Sequence, residues 1–295
     1  MSIQASEIHS LVGESGSGKT VTAQAITGLV STSAADVQGA ILLNGEDILL
    51  FPMDRLRKMR GNEIGMIFQE PSRYLNPAFT VSNQITEMIK VHLGIGRKSA
   101  TERARELLAL VGLGEDGRMM KSYPHELSGG MRQRVMIAMA VSCGPSLLIA
   151  DEPTTSLDVT VQRQILELIL ELKARMGMSV MFISHDMGVV HDISDRVSVI
   201  YLGRIVETGA MSEIFKGPLH PYTRLLLSSI PNPDRRGKRL TAIPGRVSDA
   251  ESVPSGCAFH QRCPFAVEIC SESEPELEVF DSAHGAACHR IGDLQ

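Results

Sequence analysis

Gly13-Glu14-Ser15-Gly16-Ser17-Gly18-Lys19-Thr20 fits the spacing G-x-x-x-x-G-K-[ST]. The chemistry such a segment serves is the holding of a phosphate chain. Its glycines let the backbone curl so that successive N–H groups point inward. A helix that starts near Lys19 turns its positive end toward the same point. The Lys19 ammonium suits the β- and γ-phosphates, and the Thr20 hydroxyl suits Mg²⁺. Two rival glycine motifs fail. A dinucleotide fingerprint needs a last glycine where Val21 stands, and a hydrolase nucleophile elbow needs one where Ser17 stands.

A second chemical segment is Leu147-Leu148-Ile149-Ala150-Asp151-Glu152-Pro153. An apolar strand ending in two carboxylates sets them at the carboxyl edge of a sheet, where ligands of open α/β sheets bind. Asp151 suits Mg²⁺, directly or through water. Glu152, one residue further out, suits a water aligned with the γ-phosphate. A third segment, Leu127-Ser128-Gly129-Gly130-Met131-Arg132-Gln133-Arg134, places an N-cap serine before a helix whose free N–H groups favour an anion.

The elements that must position these groups alternate along the chain. Ile8 to Val12 reads as a strand entering the loop, and Thr20 to Leu29 as the helix leaving it. Ala40 to Leu43 is a strand ended by an Asn44-Gly45 turn, and Ile64 to Phe68 is a buried strand. Val81 to Val141 is mostly helical. Val161 to Arg175 is an amphipathic helix, followed by a strand over Ser179 to Ile183. Arg196 to Ile200 and Arg204 to Glu207, with Gly203 between, form a hairpin. Strands alternating with helices imply an α/β fold with a parallel sheet. Prolines 231, 233, 244 and 254 in a polar tract mark a linker.

Composition narrows the class. The chain has 295 residues, enough for one large domain plus a small one. A net charge of −5, 4% aromatic residues and no Trp argue against nucleic acid as the main partner and against a base-stacking surface. No apolar run reaches the ~18 residues of a membrane span. Met1 to Ser10 lack the basic and apolar regions of a secretory signal, so a cytosolic chain is expected.

With these segments together, the sequence resembles the ATP-binding subunits of ABC transporters, whose signature matches Leu127 to Arg134. The resemblance implies a P-loop NTPase parallel-sheet core with an inserted helical subdomain at about 81–141. It implies that Ser128, Gly129 and Gly130 grip the γ-phosphate of ATP held by the opposite subunit, so that activity needs a dimer. Gln69, in Ile67-Phe68-Gln69-Glu70-Pro71, resembles the Q-loop that senses Mg²⁺ and the attacking water and links the core to the transporter. Ser156-Leu157-Asp158 resembles the D-loop at the dimer interface, and His185, in Ile183-Ser184-His185-Asp186, resembles the switch histidine on the γ-phosphate. The other eight histidines read mostly as solvated surface, Arg132 and Arg134 as a solvated helix face, and the methionines of 131–139 as core.

The resemblance narrows to the peptide-importer branch, which takes up dipeptides and oligopeptides, with some members handling nickel or glutathione. His220-Pro221-Tyr222-Thr223-Arg224-Leu225-Leu226-Leu227 followed by Ile230-Pro231 carries it, as do Asn76-Pro77 and Phe79-Thr80-Val81. So does the tail from Pro254 to Pro264. The implied organisation is an ATPase domain over 1–230 and a small extension over 231–295. The implied partners are a second ATPase subunit, identical or paralogous, integral-membrane permease subunits and, indirectly, a solute-binding protein. The expected place is peripheral, on the cytoplasmic face of the cell membrane.

The extension carries Cys257, Cys263, Cys270 and Cys288 in the spacing C-x5-C-x6-C-x17-C, while Cys143 lies apart as a buried small hydrophobe. Four thiols in a cytosolic chain favour metal over disulfides. No C-x2-C of an ordinary zinc ribbon occurs. Four cysteines can carry a [4Fe–4S] cluster, as the resemblance implies for some of the branch, and zinc or no metal are the other readings. His260 and His289 are reserve ligands. The resemblance also implies some tens of residues before the loop, with antiparallel strands and an aromatic residue that stacks on adenine. Here Gly13 comes almost at once and no aromatic precedes Phe51, so a truncated start is expected. Two further readings follow. One is a non-hydrolysing or regulatory subunit impaired by the missing strands. The other, a soluble ABC ATPase of nucleic acid or ribosomes, calls for paired cassettes, insertions or basic surfaces that this sequence lacks.

Overall fold

The computed structural model describes residues 1–30, 35–114, 117–230, 243–245, 253–280 and 284–293. The linker expected at Pro231 and Pro233 lies outside the described residues. Strand β1 (Ile8–Val12) leads through the glycine loop into helix α1 (Lys19–Ile26), and β2 (Leu42–Leu43) pairs with β3 (Glu46–Asp47). Then come α2 (Met53–Met59), β4 (Ile64–Ile67), α3 (Pro71–Tyr74), α4 (Val81–Leu93), α5 (Arg97–Leu110), α6 (Arg118–Lys121) and α7 (Gly129–Ala140). Next are β5 (Leu147–Asp151), α8 (Val159–Met176), β6 (Ser179–Ser184), α9 (Met187–Ile193), β7 (Arg196–Tyr201) and β8 (Arg204–Ala210). The chain ends with α10 (Met211–Lys216), α11 (Pro221–Ser228), α12 (Ile269–Glu272), β9 (Glu278–Val279) and β10 (Gly285–Ala286).

Turn and cap residues set the element bounds. Asn44 and Gly45 both adopt positive φ, as a tight hairpin between β2 and β3 requires, and Leu202 and Gly203 do the same between β7 and β8. Helix α1 stops short of the expected Leu29 because Gly28 turns left-handed at φ +62°. Helix α8 is capped at its start by the Asp158 carboxylate, which accepts the Val161 N–H at 3.0 Å, and at its end by Gly177 at φ +66°.

The chain divides into two compact units: residues 1–3, 7–20 and 182–295 in one, and residues 4–6 and 21–181 in the other. In the first, β1 runs parallel to β7 with Val12 opposite Val199, β7 pairs antiparallel with β8, β8 with β10, and β10 with β9. The sheet of this unit is therefore mixed. Ile8, Leu11, Val12, Val197, Val199 and Tyr201 are buried in it. Strand β1 is not wholly apolar. His9 and Ser10 are buried too; His9 Nε2 hydrogen-bonds the Ser198 hydroxyl at 2.8 Å, and the Ser10 and Ser194 hydroxyls hydrogen-bond each other at 2.5 Å.

In the second unit β4 and β5 pair in parallel, Ile64 opposite Leu147 and Ile67 opposite Ala150. Helices α4, α5 and α7 pack on one another, and α7 also packs on β4. Arg132 and Arg134 are half-buried rather than solvated. The Arg132 guanidinium donates to Pro124 O at 2.8 Å and that of Arg134 to Val111 O at 2.8 Å, which ties α7 to the turns beside it. Cys143 is half-buried beside Ser142. Among the described residues no helix is long and apolar enough to cross a membrane.

His220 is also buried, at 1% exposure, where the sequence suggested a solvated side chain. It is the N-cap of α11, and its Nδ1 accepts the Tyr222 N–H at 3.0 Å. Burial lowers its pKa from the usual 6.5 to about 4, with Glu207 opposing in part. An unfolded chain therefore takes up the proton first as pH falls. The stability this histidine contributes is full above its unfolded pKa and is lost as pH falls toward about 4. Urea denaturation at pH values of about 7 and about 5 should show a loss of about 2 kcal/mol from this group. His220→Asn, which caps without titrating, should be less sensitive to pH by that amount. Equal pH dependence in both proteins would contradict the assignment.

Candidate functional site

The phosphate loop leaves β1 at Val12 and seats directly on β7. A Cβ at Gly13 would fall 2.2 Å from Ile200 O, so only a hydrogen fits there. That carbonyl lies where β7 and β8 shift register, between Val199 and Ile200, and a bulge of this kind re-aims the backbone locally. Gly16 at φ +81° and Gly18 at φ +102° make the loop's reversals. The Ser17 N–H donates to Glu14 O at 3.2 Å and the Gly203 N–H to Ser17 O at 2.9 Å. Lys19 is 5% exposed, and its Nζ donates to Gly13 O at 2.8 Å and Glu14 O at 3.0 Å. Ser15, Gly16 and Thr20 are exposed. Ser17 Oγ is buried with no hydrogen-bond partner among the described residues.

Glu14 is held from two sides. Its N–H donates to Tyr222 Oη at 2.9 Å. Its carboxylate accepts two bonds from Arg262, at 2.7 and 3.1 Å. Burial alone would lower the Arg262 pKa, but hydrogen bonds to Glu14 and Tyr201 outweigh it and hold the guanidinium above its usual value. His185 follows β6 in the same unit and is exposed, and the next residue, Asp186, caps α9 at 2.8 Å through the Gly188 N–H.

The second unit holds the acidic pair. Asp151 closes β5 and is 3% exposed. Glu152 follows at φ +44°, a conformation that non-glycine residues adopt at a cost and that clusters at functional sites. Ile67 on β4 is paired with Ala150 on β5, so Gln69 and Glu152 both lie two positions beyond the last paired residues. They meet there: the Gln69 amide donates to Glu152 Oε2 at 3.0 Å, and the Thr155 hydroxyl donates to the same oxygen at 3.0 Å.

Ser128 caps α7, its hydroxyl accepting the Met131 N–H at 3.3 Å, and both Ser128 and Gly129 are exposed. A Cβ at Gly130 would lie 2.9 Å from Val161 Cγ1, so this glycine lets α7 approach α8. Asp158, expected near a dimer interface, serves in this chain as the N-cap of α8.

All four tail cysteines are free and line one small cavity of about 10 Å³ together with His220, Phe259, His260 and His289. Burial pushes the Cys257 thiol up to about 11 and raises those of Cys263 and Cys288, with neighbouring thiols adding to the effect. No group of three or more His, Cys, Asp or Glu side chains among the described residues stands ready to hold a single metal ion.

Three contributors escaped the sequence. Thr155 carried no motif. Glu207, fully buried, accepts from the Leu219 and His220 N–H groups at 2.8 and 2.9 Å and pairs with His284 at 2.8 Å. Arg262 stood unremarked between two cysteines.

Comparison with known proteins gives the family. Residues 1–155 match the family described as ABC transporter, and residues 206–270 match the oligopeptide/dipeptide transporter C-terminal region. A probable peptide ABC transporter ATP-binding protein, y4tR of Sinorhizobium fredii, is 48% identical over 99% of this chain and 88% of its own length. The oligopeptide transport ATP-binding protein AppD of Bacillus subtilis is 48% identical over 97% of this chain and 88% of its own. The Salmonella typhimurium protein OppD, of the same description, is 45% identical over 98% and 85%. Among solved structures, the ATP-binding cassette MJ0796, in a dimeric post-hydrolysis state with ADP and Pi, superposes with a TM-score of 0.64. It is 27% identical and the match covers 72% of this chain and 88% of that one. The glycine loop on β7, the paired Gln69 and Glu152, and these matches lead to one conclusion: the chain belongs to the ABC transporter ATP-binding family.

Proposed function

We propose that this chain is the ATP-hydrolysing subunit that energises uptake of dipeptides and oligopeptides through a membrane permease. The observation that carries this reading is the Gln69–Glu152 hydrogen bond at the ends of two parallel strands. It occurs in a chain that aligns over nearly its whole length with peptide-transport ATP-binding proteins. The ATPase domain spans 1–230, with a helical subdomain at about 81–141, and 231–295 form the cysteine-bearing extension.

Each residue has a role in this reading. The backbone from Gly13 to Thr20, with Glu14, Ser15, Gly16, Ser17 and Gly18, receives the phosphates of ATP, and Lys19 swings from its loop carbonyls to their charge. Thr20, Gln69 and Asp151 are the residues that would hold Mg²⁺, which would supply charge that neutralises the phosphates. Glu152, oriented by Gln69 and Thr155, takes the proton of the attacking water. His185 contacts the γ-phosphate. Ser128, Gly129 and Gly130 of a second subunit close on the same nucleotide, with Asp158 along the joint. The dimeric state in which MJ0796 was solved supports such a pairing.

In the second unit an apolar cavity of about 500 Å³ lies beside the Gln69 segment, lined by Phe68, Tyr74, Leu75, Met88, Val91 and Met136. Tyr74 is 53% and Val91 71% exposed, which suits an apolar helix of a permease docking there from the cytoplasmic face. That permease receives its peptide from a solute-binding protein.

Cys257, Cys263, Cys270 and Cys288 match a [4Fe–4S] cluster by donor type and number, and they line one cavity, although its volume of about 10 Å³ is smaller than the cluster. A cluster there would require the thiols to move apart and, since burial raises the thiol of Cys257, to give up their protons. A cluster supplies cross-links that a segment with few apolar residues otherwise lacks.

Glu152→Gln should lower ATP hydrolysis by about 10²- to 10⁴-fold while leaving filter-binding of Mg-ATP intact. Turnover unchanged in that variant would overturn the catalytic reading and favour a regulatory subunit. Anaerobically purified protein should contain about four iron and four sulfide per chain. A folded, iron-free protein would overturn the cluster.

A further inference from the structure

The phosphate loop of a nucleotide-binding protein is ordinarily held by the strand before it and the helix after it. Here it has a third anchor, far away in sequence. Arg262 lies on a single 3₁₀ turn, His260–Arg262, inside the cysteine segment. That turn is bound on both sides to thiol-bearing residues: the His260 N–H donates to Cys257 O at 2.9 Å and the Cys263 N–H to His260 O at 3.2 Å. The Cys257 N–H in turn donates to Cys270 O at 2.8 Å.

From this turn the guanidinium crosses to the loop. It is 7% exposed and makes four hydrogen bonds: two to the Glu14 carboxylate, one to Tyr201 Oη at 3.3 Å and one to Pro244 O at 2.7 Å. It lies 5.7 Å from the Tyr201 ring centroid and 5.9 Å from that of Phe259, and Tyr222 packs on both rings with centroids 4.8 and 5.2 Å away. Tyr222 also accepts the Glu14 N–H, so the main chain and the side chain of one loop residue are both fastened to the same aromatic cluster. A bidentate pair enclosed in this way has a fixed geometry, unlike a surface pair.

We propose that Arg262 is a positioning residue for the phosphate loop, tying the cysteine segment to Glu14 so that the folded state of that segment sets the loop's affinity for nucleotide. The inference rests on the loop being the ATP site. Arg262 touches no nucleotide in this reading; it acts through Glu14. Because coupling between two sites is reciprocal, nucleotide on the loop also steadies the cysteine segment. Lysine cannot reproduce the two-pronged contact, so the two basic residues are not equivalent here.

The test uses the full chain as purified, with Mg-ADP as the probe. Affinities are measured for the parent protein, Arg262→Ala, Arg262→Lys, Glu14→Gln and the Arg262→Ala/Glu14→Gln double variant. Each is first checked for a cooperative melt. The expected result is about 5- to 150-fold weaker binding for Arg262→Ala, little rescue by lysine, and a double variant no worse than the weaker single one. Amide hydrogen exchange gives the second readout. In the parent, Mg-ADP should slow exchange in residues 13–20 and also in 256–264; in Arg262→Ala it should slow only the first. A folded Arg262→Ala protein that binds Mg-ADP as tightly as the parent would overturn the proposal, as would loop and cysteine segment responding independently in the parent. Failure of the parent itself to bind Mg-ADP would instead overturn the ATP reading.

Discussion

The contact on which the rest of the nucleotide chemistry depends is the close approach of Gly13 to Ile200 O, which leaves no space for a side chain. It is a packing constraint between two parallel strands rather than a bond. Strand β1 must deliver the loop at the right height against β7, and the register of His9 with Arg196 through Val12 with Val199 does so. The buried Tyr201 at the end of β7 then carries the aromatic cluster and, through it, the grip on Glu14. The seating of the loop is thus a consequence of core packing.

A similar economy holds in the other unit. Two parallel strands in a fixed register are enough to set Gln69 beside Glu152, since each is the second residue past a paired position. The positive φ of Glu152 is the local cost of turning that carboxylate onto the Gln69 amide and the Thr155 hydroxyl. Helix α7 contributes differently. It is buried on most sides, and its two half-buried arginines bind main-chain carbonyls of neighbouring turns, so the Ser128 end is displayed on a rigid support.

Much of this was legible in the sequence because it depends on local chemistry. The strand over Ile8 to Val12 was readable to the residue, and the two hairpin turns followed from Asn44-Gly45 and Gly203. The helical stretch from Val81 showed its period. What was not legible depends on distant partners. Buried His9 and His220 look like surface residues until Ser198 and Glu207 are placed beside them. Strands β9 and β10 are two residues each, too short for any alternation to show. Arg262 lies 248 residues from the carboxylate it holds, and no local pattern encodes such a pair. The gathering of the four cysteines was suggested by their number, but their common cavity was not.

The most direct test of the central claim, that this loop is a working nucleotide site, is a thermal melt of the chain with and without Mg-ATP. At a hundredfold excess over Kd a ligand that binds only the folded state adds about 2.7 kcal/mol. For a chain of this size that corresponds to a rise in Tm of roughly 5 °C or more. Such a rise, lost when Mg-ATP is replaced by adenosine, is the predicted result. Superimposable melts at saturating Mg-ATP would contradict the account.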